Sequence, residues 1–187
     1  MMTALGESRT QQLDRFGVTA RILHWLMAIA IVAMIFIGGA LVGSLGRYNV
    51  LLEVHKSLGF AILALAVLRI GNRLWHRPPP PPLDLSMPER LIAIGSEILM
   101  YALFLAQPII GWALVSASGI PIRIFGGLRV PAIVPTDAGL YATLRTVHGI
   151  LAYLLLAAFT AHICAVLFHA LLLRDKLLRR MTFGSNH

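Results

Sequence analysis

The chain is short of charge, and of acid above all. Asp and Glu together number 8 and all charged residues make up 13%, where soluble proteins carry about 25%. A soluble domain with a solvated surface is therefore a poor fit. Cysteine is nearly absent too: Cys164 stands alone and cannot close a disulfide within the chain. It falls inside an apolar block, where a small buried hydrophobe is the plainest expectation. Aromatic residues make up only 8%, and no aromatic–basic platform accompanies the net charge of +8. Nucleic acid is not an expected partner.

What the chain has in plenty is apolar sequence. Hydrophobic residues reach 58%, and the mean hydropathy is +0.79. They fall into four blocks, about 18–43, 50–75, 91–117 and 142–173. Each is long enough to cross the hydrocarbon, which takes roughly 20 residues as a helix. Lipid offers no partners to backbone amides, so helices are the expected form. The expected fold is all-α, a four-helix transmembrane bundle with antiparallel up-down topology. The first block exceeds a signal-peptide core of roughly 7–15 residues and reads as a retained helix. The bundle spans 18–181, between an N-terminal tail (1–17) and a C-terminal one (182–187).

Connections and charge give the orientation. Pro78 to Pro82 is a run of five prolines, a stiff extended spacer. Ser118 to Leu140 is too interrupted by glycine and proline for a helix and is expected to cap one end of the bundle. Eleven basic residues fall on the side of the termini and the proline run. The other five, Arg47, Lys56, Arg123, Arg129 and Arg145, fall opposite. By the positive-inside rule both termini are cytoplasmic.

Histidines are the main ionisable residues within the blocks, and such residues are functional candidates. His24 lies in the first block, His55 in the second, and His148, His162 and His169 in the fourth. His148 and His162 are two heptads apart, which in a left-handed bundle returns both to one face. At 1.5 Å per residue their depths differ by about 21 Å. Alternating helix directions put His24 at the inner depth with His162, and His55 at the outer depth with His148. Two histidines per level suit the axial positions of a haem iron better than zinc, which wants three or four ligands together. With no C-x-x-C-H run, covalent c-type attachment is excluded. Small residues one turn away (Ala28, Gly59, Ala152, Ala158) leave room for a flat macrocycle, or equally for close helix packing.

Several segments resemble a known family. They are R-I-L-H-W at 21–25, H-K-S-L-G at 55–59, L-R-I-G-N-R at 68–73 and Y-A-L-F-L-A-Q-P-I-I-G-W at 101–112. S-A-S-G-I-P at 116–121, H-G-I-L-A-Y at 148–153 and H-I-C-A-V-L-F-H at 162–169 follow. In order and spacing, from Arg15 to Met181, they resemble the bacterial cytochrome b561 family of small di-haem membrane cytochromes, which includes superoxide oxidase. The resemblance implies two haem b groups, with His24 and His162 on the inner iron and His55 and His148 on the outer. It also implies ubiquinone as electron acceptor. The donor is then superoxide, in a superoxide oxidase-like oxidoreductase, or a separate redox protein, in an electron-transfer subunit without superoxide activity. A haem-free membrane metal transporter is the alternative of another class. Many family members carry a histidine in helix three where this chain has Glu97.

Secondary candidates lie at the membrane boundaries. His169 is either a quinone or proton site or a polar residue at the headgroup level. Glu97 either relays protons to that quinone or pairs with an arginine such as Arg73. Lys56, Arg145, Arg21 and Arg73, with Arg69, are candidate partners for haem propionates, although snorkelling accounts for the cytoplasmic ones equally. A positive outer surface would also steer an anion such as superoxide.

Overall fold

The structure, a computed structural model, describes residues 16–43, 46–76, 86–173 and 181–182. Most of both tails, the five-proline run and the basic residues Arg174, Lys176, Arg179 and Arg180 lie outside the described residues.

Among the described residues, four helices are long and apolar enough to cross a membrane. They are α1 (Val18–Gly43), α2 (Tyr48–Trp75), α3 (Met87–Ala117) and α4 (Ala138–Leu167), the last running on into a π-helical stretch, Phe168–Leu173. The helices after the first begin two to four residues earlier than hydropathy suggests, and in α3 and α4 it is capping that sets the start. The Glu89 carboxylate accepts from the Ser86 amide and hydroxyl, both at 2.8 Å, and Pro88 needs no amide partner there. Asp137 accepts from the Leu140 amide at 2.6 Å and starts α4.

α1 packs along α2, α3 along α4, and α2 against α3, but α4 has no extensive backbone packing on α1 or α2. The core is a single cluster fed by all four helices: Met27, Ala30, Ile31, Ile62, Ala66, Leu103, Phe104 and Leu155. Phe36, Val42, Leu74 and Tyr153 stand on the outside, each more than 70% exposed. Such a surface suits lipid and would be a liability in water. Cys164 is exposed as well. It lies on this lipid-facing surface, and the expectation that it is buried is corrected.

The segment after α3 forms a β-hairpin, β1 (Ile122–Ile124) paired antiparallel with β2 (Leu128–Val130). Ile122 and Ile124 are buried and β1 lies on α2. At the tip, Phe125 and Gly126 both take positive φ, 48° and 79°. That is costly for phenylalanine, and the Phe125 amide is held by Ser57 Oγ of α2 at 2.9 Å. The hairpin's base is tied to α3: Trp112 Nε1 donates to the Pro131 carbonyl at 2.9 Å, and the Ile133 amide donates to Ser116 Oγ at 3.2 Å.

Candidate functional site

His55 on α2 and His148 on α4 face each other where those helices stand apart. Their ring centres are 6.2 Å apart and their planes are inclined by 72°. Two imidazoles bound about 2 Å from one metal ion on opposite sides have ring centres roughly 6 Å apart. The spacing is therefore right for a shared ion and too long for a direct hydrogen bond. Nδ1 of each ring is buried without a hydrogen-bond partner, an expensive state for a polar atom.

The packing around this pair comes from two other helices. A Cβ on Gly111 of α3 would lie 3.1 Å from Cε1 of His148, and one on Gly38 of α1 would lie 3.9 Å from Cε1 of His55. One turn before Gly111, Gln107 Nε2 donates to the His148 carbonyl at 3.1 Å. That carbonyl lies in the interior of α4, so α3 holds the His148 backbone as well as making room for its ring. The hairpin lies beside this level, since its anchor Ser57 is two residues from His55. Gly59 adjoins Met34 of α1, with 3.8 Å between its notional Cβ and Met34 Cε. It serves helix packing, one of the two readings its sequence position allowed.

A second level, toward the start of α1, joins α1, α2 and α4. His162 and Arg69 both lie within electrostatic reach of His24, and Arg69 also acts on His162. The His24 ring meets Trp25 edge-on at 5.7 Å, and its Nδ1 is buried without a partner. Trp25 Nε1 donates to the Met181 carbonyl and Arg21 to the Thr182 carbonyl, both at 2.9 Å. Met181 and Thr182 are thus tied to α1 beside His24. Among the described residues, no three of His, Cys, Asp and Glu come together as a metal-ligand cluster. His55 meets His148, and His24 lies within electrostatic reach of His162.

A family model described as prokaryotic cytochrome b561 matches residues 15–184. The chain belongs to the prokaryotic cytochrome b561 family. Among relatives of this cytochrome b561 chain, cytochrome b561 homolog 2 of Escherichia coli (strain K12) is 34% identical over 93% of this chain and 94% of its own. Cytochrome b561 homolog 1 of the same organism is 29% identical over 90% and 97%. A probable superoxide oxidase CybB of Yersinia pestis is 35% identical over 68% of this chain and 72% of its own. The chain is thus a b-type membrane electron-transfer protein of a bacterial family.

The remaining candidates have definite surroundings in this cytochrome b561 protein. Glu97 forms an ion pair with Arg73, the second of the two alternatives its sequence position allowed. Lys56 is engaged by Glu53, one turn back on the same helix. Arg145 is exposed near the start of α4. His169 lies within the π-helical stretch, so the heptad spacing that put it on the face of His162 no longer holds. It meets Phe168 at 6.0 Å and lies within electrostatic reach of Glu89. Sequence reasoning missed Gly38, Gln107 and Gly111. Only the last two carried any signal, as members of the Q-P-I-I-G-W motif.

Proposed function

We propose that the chain is a di-haem cytochrome b that carries electrons from superoxide at the outer face to a quinone at the inner face. The termini are then cytoplasmic and the hairpin faces outward. What supports this above all is the 6.2 Å separation of the His55 and His148 rings, on helices that stand apart and belong to a b-type cytochrome family. His55 and His148 would hold the outer iron, and His24 and His162 the inner one. When bound, haem b supplies a one-electron carrier at each depth. The chain's own residues do the rest. Gly38 and Gly111 admit the imidazoles, Gln107 fixes the backbone that carries His148, and the hairpin limits access of water to the outer level. Each superoxide gives up one electron and leaves as dioxygen. Two such electrons with two protons convert a quinone to a quinol.

The test is the purified protein in lipid nanodiscs containing ubiquinone, supplied with enzymatically generated superoxide. Reduction of the bound haems followed by quinol formation, with no other protein present, is the expected result. Reduction only after a soluble redox protein is added would replace superoxide oxidation with the electron-transfer subunit. Absence of a b-type spectrum would sink both.

A further inference from the structure

A cluster of charged and aromatic residues fills the space between α2 and α3 on the inner side. Arg69 Nε donates to the Tyr101 hydroxyl at 3.0 Å, and the Arg69 guanidinium carbon lies 5.4 Å from the centre of the Tyr101 ring. Arg73, one turn further along α2, lies 6.0 Å from the same ring. Glu97 is one turn before Tyr101 on α3, so both face α2. That carboxylate is the nearest counter-charge at hand, and Arg73 takes it. Among the described residues, Arg69 has no carboxylate partner. It is half-buried and lies 14 residues past His55, two heptads along the same face of α2 and about 21 Å deeper. His24 lies 14 residues before Gly38, the residue of α1 that adjoins His55, so Arg69 and His24 share a level.

We infer that Arg69 is a positioning residue that sets the reduction potential of the inner level: Tyr101 fixes its guanidinium beside the His24–His162 pair, and the Arg73–Glu97 ion pair keeps its charge uncancelled. This rests on the di-haem reading above. Reducing a haem iron removes one positive charge from the site, so a fixed cation nearby favours the reduced form and raises the potential. A unit charge about a nanometre away, in a medium of effective dielectric about 20, shifts such an equilibrium on the order of tenfold. The inner level is thereby made the better electron acceptor, which favours transfer from the outer level inward.

The experiment is a spectroscopic redox titration of the purified, haem-loaded protein, resolving two midpoints. Arg69→Gln is expected to lower the inner midpoint by about 59 mV, the one-electron equivalent of tenfold, and to leave the outer midpoint where it was. Arg69→Lys, which keeps the charge, should keep most of the inner potential. Glu97→Gln removes a negative charge from the same cluster and should raise the inner midpoint. These opposite signs separate a charge effect from a loss of packing. Two haems with an inner midpoint unmoved by Arg69→Gln, or moved equally by Arg69→Lys, would overturn the inference. Should Arg69→Gln lose the inner haem, Glu97→Gln decides: a rise supports the inference and a fall or no change refutes it. A wild-type protein with fewer than two haems would refute the di-haem reading itself, a result distinct from any of these.

Discussion

At the scale of single residues, Gly111 is the most exposed to a test. A methyl group there would sit 3.1 Å from the His148 ring, tighter than ordinary contact. The ring cannot easily retreat, because its own backbone is bonded to Gln107 on the same helix as Gly111. Gly111→Ala is therefore expected to cost about 1–3 kcal/mol, as overpacking does, and to lower outer haem occupancy, measured as haem per protein after purification. Gly59→Ala meets only the flexible end of Met34 at 3.8 Å and should leave haem content unchanged. The four histidines were legible in the sequence because the 14-residue interval and helix direction fix depth and face. Gly111 and Gln107 were not. A glycine in an apolar helix reads equally as a packing site, and only the tertiary fold shows which of several faces His148.

The outer cap is the part of the element scale that sequence described least. Composition showed that 118–140 breaks the helix and closes one end. It did not show a hairpin, because strands of three residues are too short for alternation to register. The hairpin is held by a few contacts: Ser57 to Phe125, Trp112 to Pro131 and Ser116 to Ile133. Trp112 also packs edge-on against Phe60 at 5.1 Å. Trp112→Phe keeps an aromatic ring there but loses the hydrogen bond, and should destabilise the cap by about 1 kcal/mol. Hydrogen exchange in detergent would show it as faster exchange across 120–133, with the core of α1 unaffected. Ser57→Ala should act the same way, since the strained Phe125 amide would lose its acceptor. The π-helical stretch after Leu167 is a second feature without a sequence mark. It changes the register that set His169 on the face of His162, and His169 lies within electrostatic reach of Glu89 in the first turn of α3.

For the whole molecule, the two helix hairpins α1–α2 and α3–α4 meet closely only along α2 and α3. The histidines of α4 look across the wider space toward α1 and α2. A bundle closed on all sides would bury those rings against apolar neighbours and leave their nitrogens unsatisfied, at a cost of several kcal/mol for each such group. The separation makes sense if a flat group occupies it at two depths. Replacing His55 or His148 should then remove one haem and retain the other, and replacing His24 or His162 should remove the second. The spectrum of each variant would show which remains. The most direct measurement is the haem content and low-temperature electron paramagnetic resonance of the oxidised wild-type protein. Two haem b per chain, both low-spin with bis-imidazole ligation, are predicted. One haem per chain, none, or a high-spin iron at either level would contradict the paired-histidine account.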